Sequence, residues 1–272
     1  MERNGANDMA GGEEATAKPE RTLRDVDRMG GFAKGLSVIE AFGMGRDRLT
    51  IAEAARLSGL DRASARRCLL TLVEQGYAST EDRYFELTPR ILQLGRSYLS
   101  ASLPRLIRPA LSQLAERVKE SCSAAVLDGS EVVYIARATE QHLVGTGLHP
   151  GSRLPAYCTS LGRVLLAALP EDAARKIVSE TKRQALTAHT LTSVKDIMAE
   201  IARVRELGYS IIDQEVAPHS RSIGIPIFNQ AGRTLAAVTV AKHASRGSVE
   251  DLIDVALPAL RSMQTQLADT LP

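Results

Sequence analysis

Residues 49–88 read LTIAEAARLSGLDRASARRCLLTLVEQGYASTEDRYFELT, and the order of signals in this stretch decides the fold of the first part of the chain. Thr50 followed by Glu53 is a capping box, two side chains satisfying each other's backbone N–H groups, and starts a helix expected to run to about Leu57. Gly59 supplies the turn. Asp61 is a helix cap, and the helix it opens is expected to end at Gln75, before Gly76. On that helix Ala65, Cys68, Leu69 and Leu72 share the inward face; Arg67, Ala63 and Thr71 lie opposite, and Ser64, Arg66 and Leu70 fall toward the flanks. The segments YAST and YFEL around the acidic turn EDR read as a β-hairpin.

Upstream, Phe32, Leu36, Ile39 and Phe42 recur at helical spacing and predict a first helix ending near Gly43 and Gly45. Three helices and a hairpin make a winged helix-turn-helix, whose second motif helix enters the DNA major groove. Arg62, Ser64, Arg66 and Arg67 are the candidates for contact with double-stranded DNA, and Arg83 in the wing is a candidate for a phosphate. Arginines on an exposed helix face also occur as plain solvated surface. The surplus of three positive charges between residues 28 and 96 is modest, so useful affinity calls for a dimer that doubles the phosphate contacts.

The whole chain of 272 residues exceeds one ordinary domain. The expected class is α+β: a tail over 1–27 without periodicity, the winged helix-turn-helix over 28–88, a linker helix over 89–104, and a C-terminal α/β effector and oligomerisation domain with an antiparallel sheet over 105–272. Pro104 and Pro109 are read as breaks, so the next helix is expected from about Leu106 to Glu120. Strands around Asp128-Gly129, a further one in HLVGTGL (142–148), a helix entered at Thr159 or Ser160, the strand YSIID, the hairpin around NQAG and a closing amphipathic helix complete the domain.

Three cysteines far apart, with no CxxC pair, argue against a disulfide scaffold and against zinc, and no metal or cofactor is expected. The net charge of +2 points to neither nucleic acid nor membrane. No apolar run has the length of a membrane span, and the first residues lack a basic-then-apolar leader, so a cytoplasmic protein without a membrane partner is expected. No G-x-S-x-G elbow, HExxH pair or GxxxxGK[ST] loop occurs, and GTGLHP puts Pro150 where a dinucleotide fingerprint needs its third glycine, so catalysis is not expected.

The stretches LTIAEAARLSGLDRASARRCLLTLVEQGYA, LPAYCTSLGRVLLAAL and GYSIIDQE with RSIGIPIFNQAGRTLAAVTVA together resemble the IclR family of bacterial transcriptional regulators, and ARRCLLTL and GRSYLSASLPRLIRPAL are most similar to its branch governing catabolism of aromatic acids such as 4-hydroxybenzoate and protocatechuate. The resemblance runs from about Arg28 to the C-terminus. It implies a GAF-like or profilin-like effector domain, homodimers or dimers of dimers, a small aromatic carboxylate as effector, and RNA polymerase as a further partner of a transcription regulator. Alternatives are a non-aromatic effector such as β-ketoadipate, or a second domain that only oligomerises.

Such an effector needs a cation or N–H cluster for its carboxylate and an apolar slot for its ring. Thr159 and Ser160 with the first N–H groups of their helix can form an anion site, and Arg137, on the strand that carries Tyr134, can hold a carboxylate with two N–H groups. The plainer readings are that Thr159 and Ser160 only cap the helix and that Arg137 faces solvent. Tyr157 either stacks on a ring or covers the core. By the resemblance, family ligands also touch positions that map to Asp213, Ser222 and Thr239, although a strand-end aspartate is commonly a turn residue. His149 and His219 are read as surface histidines. Where the family usually has a glycine after its D-x-E element, this chain reads DQEVAPHSRS, with Pro218 and His219, which puts the ligand contacts of that loop in doubt.

Overall fold

The computed structural model describes residues 29–43, 46–99, 102–139, 147–268 and 270–271, which fall into two compact units divided between Leu94 and Gly95. The expected tail over 1–27 and most of the strand expected in HLVGTGL lie outside the described residues.

In the first unit, α1 (Gly30–Ala41), α2 (Ile51–Ser58) and α3 (Arg62–Glu74) pack around Val38, Ala41, Leu49, Ala54, Leu69, Leu72 and Phe85. Both expected caps form. The Thr50 Oγ1 accepts the Glu53 N–H at 3.3 Å while the Glu53 carboxylate accepts the Thr50 N–H at 2.9 Å, and Asp61 Oδ1 accepts the Ser64 N–H at 2.8 Å. Gly59 and Gly76 take φ values of +70° and +76°, the left-handed backbone that favours glycine. The hairpin consists of β2 (Ala78–Glu81) and β3 (Tyr84–Leu87), and β3 also pairs with a three-residue strand, β1 (Arg48–Thr50), that the sequence did not signal. The inward stripe expected of the first helix needs correction in its first half: Phe32 and Leu36 are exposed, because no element of this unit covers that end of α1.

The capping carboxylates Glu53 and Asp61 have pKa values lowered chiefly by the backbone N–H groups they accept, of Thr50 and Ser64 respectively. A depressed carboxylate pKa stabilises the fold above the unfolded-state value, and that contribution disappears as pH falls through the folded-state value. Thermal unfolding of Asp61→Ala should therefore show a lower Tm than the parent at pH 7, with the gap closing at acid pH; a gap independent of pH would assign the loss to something other than the carboxylate.

A short 3-10 turn, Pro89–Ile91, precedes α4 (Leu92–Leu99), and α5 (Ser102–Val118) follows, starting earlier than expected and running through both prolines. Pro104 lies in the first helical turn, where its missing N–H has no intrahelical partner to lose, and Pro109 removes only one bond from a helix anchored by Ile107, Leu111 and Leu114.

The second unit is built on six antiparallel strands in the order β6 (Arg153–Pro155), β5 (Glu131–Ala138), β4 (Ser121–Asp128), β9 (Thr234–His243), β8 (Ser220–Phe228) and β7 (Ser210–Asp213). Helix α5 and the closing helix α9 (Val249–Ala268) cover one face, over Cys122, Ala124, Ile223, Ile225, Val238 and Val240. Helices α6 (Ser160–Ala167), α7 (Glu171–Glu180) and α8 (Val194–Leu207) belong to the core on the other, with Ala125, Val132, Tyr134 and Ala237. Helix α7 was not foreseen; only Ala174 and Val178 of its ten residues are buried, too faint a stripe to read.

Candidate functional site

Alternation along the strands sorts the predicted site residues by face. On β8 and β9 the odd and even positions that join the α5–α9 core leave Ser222, Gly224, Thr239 and Ala241 on the α6 face, and on β4 they leave Ser121 and Ser123 there. Cross-strand pairing then aligns Ser210, Gly224, Thr239, Ser123 and Arg137 in one row across five strands.

Arg137 reaches that face through a β-bulge. Ala125 pairs with Tyr134 but Ala124 pairs with Ala136, so Ile135 is the extra residue, and both Ile135 and Ala136 point into the α5–α9 core. Simple alternation would set Tyr134 and Arg137 on opposite faces; the bulge puts them on the same one. The guanidinium donates to Thr139 Oγ1 at 3.1 Å, Ser123 Oγ at 3.3 Å and Ser121 Oγ at 3.4 Å. Burial lowers its pKa from the ordinary arginine value, and among the described residues no carboxylate pairs with it. It is a partly desolvated cation held by hydroxyls. Beside it Tyr134 is buried, and desolvation pushes its phenol up to about 12, so the ring stays neutral and keeps its proton.

The α6 end supplies the second part. Ser160 Oγ lies 2.9 Å from Thr239 Oγ1 and accepts from Ser222 Oγ at 2.9 Å, so three side chains from one helix and two strands form one hydroxyl chain. Gly224 makes this approach possible: a Cβ there would stand 3.2 Å from Ser160. Thr159 takes the plainer of its two readings, since its Oγ1 accepts the Gly162 N–H at 3.0 Å, donates to the Pro155 carbonyl at 3.2 Å and is buried. Tyr157 is buried too, and its hydroxyl bridges the backbone of Gln184, donating at 2.6 Å and accepting at 3.0 Å; it covers the core.

Two expectations are corrected. Asp213 shares the α5–α9 face with Ile211 and is clamped there by Arg221, whose Nε donates to it at 2.6 Å and whose Nη1 donates to the Gly247 carbonyl at 2.7 Å; it faces away from Ser222 and Thr239. Ser64 is 3% exposed, inside the buried arc of α3 and not on its flank, with its N–H donated to the Asp61 cap and its Oγ accepting from Arg67 at 3.4 Å, so its side chain is not on the surface that a DNA contact needs. Arg62, Arg66 and Arg67 are exposed on α3, as is Arg83 in the wing, where its guanidinium lies 5.2 Å from the centre of the Tyr84 ring.

One pair escaped the sequence reading. Arg163, 1% exposed, donates from Nη2 to Glu215 Oε2 at 2.7 Å and from Nε to the Tyr157 carbonyl at 3.0 Å, and the same carboxylate oxygen accepts the Leu191 N–H at 3.0 Å. It ties the first turn of α6 to the loop after β7. In that loop Gln214 and His219 both take a left-handed conformation with φ +61°, the His219 N–H is donated to the Gln214 side chain, and its exposed ring is stacked on His243. His149 is likewise exposed.

Two family models match the chain: the IclR helix-turn-helix domain over residues 32–82 and the bacterial transcriptional regulator IclR C-terminal domain over residues 97–268. The chain is 38% identical over 249 residues to the Pca regulon regulatory protein of Pseudomonas putida, covering 91% of this chain and 86% of that one. It is 35% identical over 251 residues to the p-hydroxybenzoate hydroxylase transcriptional activator of Acinetobacter baylyi, covering 90% and 93%. Among solved structures, a double mutant of the PobR transcription factor inducer-binding domain from Acinetobacter, in complex with 3-hydroxybenzoic acid, is similar at 30% identity with a TM-score of 0.58, covering 62% of this chain and 98% of that one.

Proposed function

The chain belongs to the IclR family of bacterial transcriptional regulators, and on that premise we propose that it binds operator DNA through α3 and its wing and changes transcription of genes for aromatic acid degradation when a hydroxybenzoate occupies the α6 face of its sheet. The observation that carries the effector half is Arg137, a half-buried cation with hydroxyl partners, on the sheet face that also presents Ser222 and Thr239, to which Ser160 of α6 is hydrogen-bonded. The relatives named for the Pca regulon and for p-hydroxybenzoate hydroxylase, and the neighbour holding 3-hydroxybenzoic acid, support an aromatic acid over other carboxylates.

The proposed division of labour places DNA binding in residues 28–88, a linker in 89–104 and the effector site with the oligomer contacts in 105–272. Homodimers or dimers of dimers are part of the proposal; the exposed Met29, Phe32, Leu36, Leu92 and Leu94 of the first unit offer apolar area for further self-contact. RNA polymerase is a further proposed contact and the cytoplasm the proposed location; among the described residues no helix is long and apolar enough to cross a membrane. Ligand binding changes transcription only by favouring one state of the oligomer over another, such as one spacing of its DNA-binding heads.

A reporter fused to the DNA upstream of the chain's own gene tests this reading. Its output should change with 4-hydroxybenzoate or protocatechuate and not with β-ketoadipate. A response to β-ketoadipate alone would overturn the aromatic assignment, and failure of the purified protein to bind that DNA would overturn the operator assignment. In the same assay Arg67→Ala should weaken operator binding by about 1–3 kcal/mol if the side chain reads a base edge, with a change in sequence preference; unchanged binding would remove Arg67 from the interface.

A further inference from the structure

Thr88 stands at the N-cap of the Pro89–Ile91 turn, where the Ile91 N–H donates to the Thr88 carbonyl at 3.1 Å. A threonine in that place ordinarily turns its hydroxyl forward to accept an N–H of the turn it opens. Here no such cap forms. The hydroxyl points back and donates to the Gly76 carbonyl at 2.6 Å, while the Thr88 N–H donates to the Tyr77 carbonyl at 2.9 Å. Two consecutive carbonyls just past the C-terminal end of α3 are thus held by the residue that leads into the proposed linker.

Arg90 adds a second tie. Its guanidinium lies 5.0 Å from the centre of the Tyr77 ring, and a Cβ on Gly76 would stand 3.2 Å from its Nη1, so the bare glycine lets the cation rest against the end of the helix. The last turn of α3 ends in Glu74 and has no basic residue of its own. Arg90 therefore supplies, from the linker, the cation that the negative end of the helix dipole favours. Pro89, its φ fixed by its ring, removes a free rotation between the two ties. We infer that Thr88 and Arg90 are positioning residues for DNA recognition: they lock the end of α3 to the first turn of the linker, so the helix that enters the groove and the start of the linker move as one body. The inference rests on the proposed effector response and states where, inside the DNA-binding unit, that response is handed to α3. Without the two ties the base of the wing would act as a hinge, and a displaced linker would bend there and leave α3 in place.

Native-state hydrogen exchange, together with binding to the DNA upstream of the chain's own gene, tests the lock in the full-length double variant Thr88→Val with Arg90→Ala. In the variant the Ile91 amide and its neighbours in α4 should exchange at least about tenfold faster than in the wild type, while those of Leu69 and Leu72 in α3 stay within about twofold. The ratio of operator affinities with and without 4-hydroxybenzoate should fall toward one, with effector affinity and effector-free operator affinity each within about threefold of the wild type. Unchanged exchange at Ile91 would overturn the lock, and faster exchange with the wild-type ratio retained would overturn its part in transmission. An effector-free operator affinity lowered more than about tenfold, with the ratio kept, would make Arg90 a phosphate contact instead. If 4-hydroxybenzoate leaves operator binding of the wild type unaltered, the effector response fails and transmission with it, while exchange at Ile91 alone decides the lock.

Discussion

Glu215→Ala should destabilise the C-terminal unit by about 3–5 kcal/mol, because it leaves the Arg163 guanidinium charged, buried and without its anion. The partly buried Leu191 N–H loses its acceptor in the same stroke. Urea unfolding followed by circular dichroism measures the loss. The double replacement Glu215→Leu with Arg163→Met should recover most of it, since a buried ion pair exchanged for apolar side chains of similar volume is commonly near neutral. A loss below about 1 kcal/mol in the single variant would show that the pair does not hold the first turn of α6 to the loop after β7.

Gly162→Ala should be comparably severe, although it adds one methyl group. A Cβ at this position would overlap the carbonyl oxygen and Cα of Ala156, both backbone atoms that no rotamer change can move aside. Helix α6 would have to lift from the Ala156–Cys158 turn, breaking the Thr159 cap on the Gly162 N–H and displacing Ser160 from Thr239. The expected loss is about 3 kcal/mol or more, with hydroxybenzoate binding weakened in whatever protein remains folded. Gly35→Ala in α1 is the control: nothing lies within 4 Å of its added Cβ, and a helical glycine replaced by alanine into open space should be neutral or stabilising by up to about 1 kcal/mol. Equal behaviour of the two variants would contradict the close contact.

These two positions also mark the limit of what the sequence makes legible. The caps at Thr50 and Asp61 and the turns at Gly59, Gly76 and Gly129 are local chemistry, and each appears where its residues announce it. Ser64 was misplaced because it sits at the edge of the buried arc on α3, where a turn of 100° per residue decides poorly between flank and core. Strand β1 is three residues of no particular pattern and exists only because β3 has a free edge to pair with. The Arg163–Glu215 pair joins residues 52 apart in sequence, and neither residue carries a local sign of its partner. Arg137 was named as a carboxylate receptor, but its place beside Tyr134, Ser121 and Ser123 depends on one bulge that no residue type between 121 and 138 advertises. The serines themselves were readable: SCSA alternates polar and apolar, so Ser121 and Ser123 must share a face opposite Cys122 and Ala124. Asp213 failed for the opposite reason, since it was carried over by resemblance while alternation with Ile211 already turned it toward α9.

The central claim is that Arg137 anchors the carboxylate of an aromatic effector on the α6 face. Calorimetric titration of 4-hydroxybenzoate into the wild-type chain and into Arg137→Gln, at matched concentration and salt, tests it most directly. Saturable binding at one site per chain in the wild type, weakened at least about tenfold in Arg137→Gln with an unchanged melting temperature and unchanged operator affinity, is the predicted result. Equal affinity in the two proteins would contradict it.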